Sequence, residues 1–167
     1  MRLHLVGLVG VFLLVSITSC GGSGDKSSST ESNAAKVTPL PDSAYRAELT
    51  VDSPPSSGPA GSTTTVGVTV KNIGDAAWPA NGKGNVGGMV HLCYHWLDRD
   101  GKVVVLDGLR TALPTTLQPG AIVPLRAKVA YPKEPGDYIL EFDLVHELVT
   151  WFGEKNSKTV RFNLRIT

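Results

Sequence analysis

From residue 45 onward the chain alternates apolar and polar side chains in short runs, each cut off by turn residues. Tyr45, Ala47, Leu49 and Val51 take every second position before Ser53-Pro54-Pro55. A second run carries Val66, Val68 and Val70 and stops at Asn72-Ile73-Gly74-Asp75. Val90 to Leu97 is a third, and Asp98-Arg99-Asp100-Gly101 turns the chain into Lys102 to Leu106. Pro119-Gly120 precedes Ile122 to Ala130, and Glu134-Pro135-Gly136-Asp137 precedes Tyr138 to Val145. The last run, Ser157 to Ile166, sets Val160, Phe162, Leu164 and Ile166 on one face. A period of two marks half-buried strands, and no segment sustains the 3.6-residue period of a helix. Seven to eight strands in about 120 residues, spaced by Pro-Gly and Asp-x-Asp-Gly turns, predict an all-β antiparallel β-sandwich. In the third run Val90, Leu92, Tyr94 and Trp96 share a face. A large aromatic on a central strand is the usual core of an immunoglobulin-like sandwich, which is the fold class expected over residues 45–167.

The first 44 residues read differently. Arg2 precedes an apolar stretch from Leu5 to Val15. At about 11 residues it is shorter than the ~20 that span a bilayer and matches a secretory h-region. The following Ile17-Thr18-Ser19-Cys20 resembles the bacterial lipobox. That resemblance implies a lipoprotein signal peptide over 1–19, with Cys20 acylated as the first mature residue. Acyl chains contribute about 0.8 kcal/mol per buried CH₂, so three of them hold a soluble domain on a membrane. Residues 20–44 are mostly small or polar, rich in Gly, Ser and Thr, around one Pro39-Leu40-Pro41. Such a stretch buries too little to offset its ordering entropy and reads as a flexible linker. Gly21 stands where an Asp would resemble an inner-membrane retention signal. The expected location is therefore the outer membrane facing the periplasm in a diderm source, and otherwise the outer face of the cytoplasmic membrane.

Composition removes several function classes. The net charge of +1 comes with no basic patch for nucleic acid and no acidic run for calcium. Of the two cysteines, Cys20 is assigned to lipid and Cys93 stands alone, which leaves no intramolecular disulfide. No G-x-S-x-G is present, and Gly82, Gly84, Gly87 and Gly88 lack the Lys-Ser/Thr of a phosphate-binding loop. They read as a long flexible loop. No enzyme activity and no cofactor are expected.

Val70 to Pro79 contains Asn72, Gly74, Trp78 and Pro79 and resembles the N-x-G-x-x-x-W-P signature of four-tryptophan immunoglobulin-like domains. Pro135-Gly136-Asp137-Tyr138 and Trp151-Phe152-Gly153 resemble their late strand and aromatic-Gly loop. Tyr94-His95-Trp96-Leu97-Asp98, Asp107-Gly108-Leu109-Arg110-Thr111 and Asp143-Leu144-Val145-x-Glu147 are similar to an accessory module of bacterial envelope glycosyltransferases and methyltransferases. The resemblance spans about Asn72 to Ile166 and implies a protein-interaction module. The expected function is a membrane-anchored, non-catalytic binding or assembly module of the envelope. A carbohydrate-recognition module for envelope glycan and a metal-handling lipoprotein are the alternatives.

Three groups of residues are candidate sites. Trp78 and Trp151 lie in loops, where they either plug the ends of the core or form a stacking platform for sugar or peptide. Arg110 either contacts a ligand or pairs with Asp107, Asp143 or Glu147. His91, Cys93 and His95 share the face opposite Trp96, with i and i+2 about 6.6 Å apart. They are weak metal candidates, needing a further ligand such as Asp143, His146 or Glu147 from a neighbouring strand, and no metal is expected.

Overall fold

The computed structural model describes residues 37–80 and 88–167. The signal peptide, Cys20, most of the linker, and Gly82, Gly84 and Gly87 lie outside the described residues. In chain order the strands are β1 (Ala47–Thr50), β2 (Ser57–Gly58), β3 (Thr63–Asn72), β4 (Val90–Asp98), β5 (Val103–Val105), β6 (Thr111–Ala112), β7 (Ile122–Ala130), β8 (Gly136–His146), β9 (Thr150–Trp151) and β10 (Val160–Ile166). One sheet has the order β1-β3-β7; the larger runs β2-β10-β8-β4-β5, with β6 also beside β4 and β9 beside β8. All pairings are antiparallel except that of β2 with β10. The chain changes sheet at β1–β2, β2–β3, β3–β4, β6–β7 and β7–β8, giving an immunoglobulin-like sandwich. Each of the seven alternating runs of the sequence contains a strand. The two-residue strands β2, β6 and β9 are too short to display a period.

Alternation places the core. Val66, Val68 and Val70 of β3 and Leu125, Ala127 and Val129 of β7 are buried against Leu92, Tyr94 and Trp96 of β4 and Leu140, Phe142 and Leu144 of β8. Two polar tips on β4 tie the sheets together at one residue. Trp96 Nε1 donates to the Ala130 carbonyl at 2.9 Å, and the Tyr94 hydroxyl accepts the Ala130 N–H at 2.9 Å. This cross-sheet bonding stands where many extracellular sandwiches carry a disulfide; here Cys93 is a free buried thiol.

The Asn72-to-Trp78 motif closes one end of the sandwich. Asn72 is fully buried, donates to the carbonyls of Ala76 and Leu117, and accepts the Gly74 N–H. Position 74 admits only glycine, because a Cβ there would lie 2.4 Å from the Ala44 carbonyl oxygen. Trp78 bridges to Leu117 and donates Nε1 to that same Ala44 carbonyl at 2.8 Å. These contacts move the domain boundary expected at 44/45 toward the N-terminus. Leu40 packs on the core, Asp42–Ala44 form a 3-10 turn, and Ala44 is fully buried. The polar run before residue 45 conceals this, because the anchors are one small Ala and one isolated Leu.

Candidate functional site

The face of β4 and β8 turned away from the core gathers most of the chemistry-bearing residues. The two strands pair as expected, with Cys93 opposite Asp143, His95 opposite Glu141 and His91 opposite Val145. The segment between β5 and β6 and the β8–β9 hairpin fold over this face. Together they bring Arg110, Glu147 and Trp151 onto it.

Arg110 is the hub. Its Nε donates to Glu147 Oε1 at 3.1 Å and its Nη1 to Asp107 Oδ1 at 2.9 Å. Its guanidinium sits 5.4 Å from the centre of the Trp151 ring, in the range of a cation–π contact. Partial burial works against its charge, but the hydrogen bonds to Glu147 and Asp107 outweigh this and hold the guanidinium firmly protonated. Of the three carboxylates considered from sequence, Asp107 and Glu147 bind Arg110. Asp143 instead accepts the Gly153 N–H at 3.0 Å and the Leu144 N–H at 2.7 Å. A Cβ at Gly153 would lie 2.9 Å from Asp143 Oδ2, which accounts for the glycine after Phe152.

The three metal candidates share the face, and each side chain is engaged by a protein partner. His91 Nδ1 donates to Glu147 Oε1 at 2.9 Å. The Cys93 thiol donates to the Gly108 carbonyl at 3.3 Å, and burial pushes it up to about 11 against the pull of Arg110. His95 Nδ1 bonds the Leu106 carbonyl, while Nε2 lies 3.9 Å from Asp143 Oδ2. Burial pulls the His95 imidazole down, but Asp143 and the Leu106 carbonyl more than offset it, and the net shift is upward. Among the described residues no three His, Cys, Asp or Glu side chains are arranged to hold a metal.

The two loop tryptophans part company. Trp78 is fully buried with its N–H satisfied, so it is not a surface contact. Phe152 meets it edge-on at 5.0 Å and Tyr45 at 5.1 Å, and these three rings plug the end of the core. The loops carrying Trp78 and Trp151 therefore meet at one end, but Trp151, next to the buried Phe152, points the other way. Its ring takes the edge of His95 at 4.4 Å and the guanidinium of Arg110, and it remains partly open to solvent.

Sequence reasoning missed one residue, Leu148, and put another, His146, among the possible ligands of the outer face although it lies on the core side of β8. Leu148, at the tip of the β8–β9 hairpin, is 82 % exposed with φ 63°. A left-handed conformation at a branched side chain costs about 1–2 kcal/mol, and glycine or asparagine is the usual choice. Nothing in a lone Leu announces such a position. His146 faces inward, where Nε2 donates to the Gly88 carbonyl at 3.0 Å and Nδ1 accepts the Tyr45 hydroxyl at 2.9 Å. That hydroxyl in turn accepts the Leu40 N–H at 3.0 Å. Burial holds His146 below the usual histidine range, which fits an imidazole with one donor and one acceptor site filled.

No family model matches the chain, and no curated protein matches it. Solved structures similar to it include the CARDB domain of PF1109 from Pyrococcus furiosus, 17 % identical over 73 % of this chain and 96 % of that one, with a TM-score of 0.41. A beta-glucosidase from Listeria innocua is 18 % identical over 72 % of this chain but only 16 % of its own, with a TM-score of 0.44. Spo0M, a sporulation control protein from Bacillus subtilis, is 13 % identical over 72 % of this chain and 48 % of its own, with a TM-score of 0.43. The fold assignment rests on this chain's own strand order and core.

Proposed function

We propose that this chain is a non-catalytic, protein-binding module held on a bacterial envelope membrane, and that it binds its partner through the Arg110–Trp151 patch. The observation that carries the reading is a tryptophan under an arginine, with Leu148, next in the chain to the Arg110 partner Glu147, exposed in a left-handed backbone pose. Tryptophan and arginine dominate the energetics of protein interfaces when their surroundings exclude water. The Arg110 ion pairs with Asp107 and Glu147, and the His91–Glu147 hydrogen bond, hold the patch rigid before binding, which lowers the ordering cost of association. Strain at an exposed leucine points to use of that side chain. The non-catalytic part of the reading is supported by the engagement of every titratable group on this face, including a thiol far from thiolate formation at neutral pH.

The anchor part rests on the lipobox at Ile17 to Cys20. Intact-mass analysis of the membrane-extracted protein should find acylated Cys20 as its first residue, and Cys20→Ser should release the domain from membranes. A mature chain starting elsewhere refutes the anchor. A photo-crosslinking amino acid at position 148 should give one discrete adduct in cells, lost on Arg110→Ala. No adduct at 148, alongside adducts from a control probe at Ser62, refutes the patch.

The glycan alternative has one supporting observation. A cleft of about 370 Å³ opens between β5 and the end of β7, floored by Tyr94, Trp96 and Tyr131 with Asp107 and Lys133 at its rim. Aromatic walls with a few polar groups suit a sugar ring. Calorimetric titration with envelope glycan fragments against wild type and Tyr131→Ala decides between the readings.

A further inference from the structure

We infer that His95 is a proton-dependent clasp: as imidazolium it fastens the segment after β5 to β8, and as a neutral ring it breaks that join. His95 is buried on the outer face of β4. Its Nδ1 meets the Leu106 carbonyl, and its Nε2 lies 3.9 Å from Asp143 Oδ2. A carbonyl and a carboxylate only accept hydrogen bonds, and only the doubly protonated ring carries a donor on each nitrogen. The neutral ring has a single proton to give. On Nδ1 that proton keeps Leu106 and turns the Nε2 lone pair on Asp143. On Nε2 it turns the Nδ1 lone pair on the Leu106 carbonyl.

The groups around the ring favour the proton. Asp143 is buried and makes its only ion pair among the described residues with His95. Glu141 stands directly across the ladder from His95, where Arg161 and Thr159 also bond it. Cys93, two residues back on the same face of β4, is an uncharged thiol. From β9, Trp151 sets its ring against the imidazole at 4.4 Å. The segment after β5 brings Asp107 and Arg110, which bind each other. Burial works against a charged ring, yet Asp143 and Leu106 together outweigh it. The clasp is therefore closed below pH ~6.5 and opens as pH rises through the native value of His95.

Its position gives it leverage. β5 pairs with β4 at Val103–Leu97 and Val105–Trp96, with Val104 bulged between them, and the chain bends away at Leu106. The next main-chain bond back to β4 runs from the Gly108 N–H to the Tyr94 carbonyl at 2.9 Å. Between these two points His95 holds Leu106. Asp143 in turn holds the β8–β9 hairpin through the Gly153 N–H. The imidazolium thus joins the two segments that carry Arg110 and Trp151.

The clasp depends on neither the anchor nor the Arg110–Trp151 patch. Only its consequence for binding rests on the patch reading. Asp107, next to Leu106, is one of the two carboxylates that hold Arg110, so the patch is fully preorganised only while His95 is protonated.

Full chain labelled with ¹⁵N, titrated in detergent solution and read by NMR, tests this. Both His95 ring nitrogens should carry protons at the acid end, with a midpoint above ~6.5. Exchange protection of the Val105 and Gly108 amides, taken relative to β7 so that base catalysis cancels, should fall through the same midpoint. The fall should be about tenfold for each unit by which clasping raises His95. Asp143→Asn offers the neutral ring an amide donor, so the fall should vanish. His95→Gln should remove it too, and decides the matter if Asp143→Asn does not fold. A midpoint below ~6.5, protection that is flat through the midpoint, or a fall that survives in either folded variant overturns the inference. Crosslinking from position 148 should weaken over the same pH range. A protection step with no adduct at any pH refutes the partner-binding patch and upholds the clasp.

Discussion

Trp78 and Trp151 sit in loops that meet at one end of the sandwich, yet they carry different duties. Trp78 is enclosed by Phe152 and Leu117 and gives its N–H to a main-chain carbonyl. Trp151 lies on the outside of the larger sheet, between the His95 ring and the Arg110 guanidinium. One residue of offset separates Trp151 from Phe152, and strand geometry sends neighbours to opposite faces. Burial at such an end depends on which member of the aromatic pair falls on the inward beat.

The sharpest way to break this comparison is to truncate both rings. Trp78→Ala should cost about 3–5 kcal/mol, because it empties a filled core site and leaves the Ala44 carbonyl short of a donor. Denaturant unfolding with an unchanged slope reads this directly. Trp151→Ala should cost only about 1–2 kcal/mol, the scale of one edge contact plus one cation–π contact. A larger loss for Trp151 than for Trp78 would reverse the assignment of plug and patch. Next in size, Arg110→Met should destabilise by about 1 kcal/mol. It keeps bulk over Trp151 but leaves Glu147 with the His91 Nδ1 hydrogen bond as its remaining side-chain contact. Retained patch crosslinking in that variant would show that apolar contact, not charge, carries binding.

The two buried histidines offer a finer contrast. His146 is depressed when folded, so below pH ~6.5 the unfolded chain takes up a proton that the native imidazole refuses, and stability falls. His95 is raised when folded, so its contribution is complete below pH ~6.5 and is lost as pH climbs through its native value. Replacing His146 with Gln should flatten the acid side of a stability–pH curve, and replacing His95 with Gln the side above it. Changes on the opposite sides would contradict the hydrogen-bond roles assigned to the two rings. The smallest effect belongs to Cys93. Native protein at pH 7.5 should resist iodoacetamide for hours and react at once in denaturant, as expected for a buried thiol at about 11. Rapid alkylation of folded protein would mean that the loop carrying Gly108 opens freely.

The strand runs and the division of β4 into an aromatic core face and a His-Cys-His face were legible in the sequence, because a strict period of two follows from backbone geometry alone. The turns were legible for the same local reason, since Pro-Gly and Asp-x-Asp-Gly limit the backbone wherever they occur. Four things were not. The burial of Trp78 depends on Ala44, which is 34 residues away in sequence. Arg110 chooses Glu147, 37 residues on, because two loops fold over one sheet face. The bulge at Val104 shows only once β5 is laid beside β4. The pose of Leu148 is set by a hairpin closed between His146 and Val149. Local alternation determined which residues form strands and which face each presents. Contacts between segments distant in the chain decided which end each loop closes, which charges meet and which apolar side chains stay in water, because long-range packing leaves no periodic trace in the residues that make it.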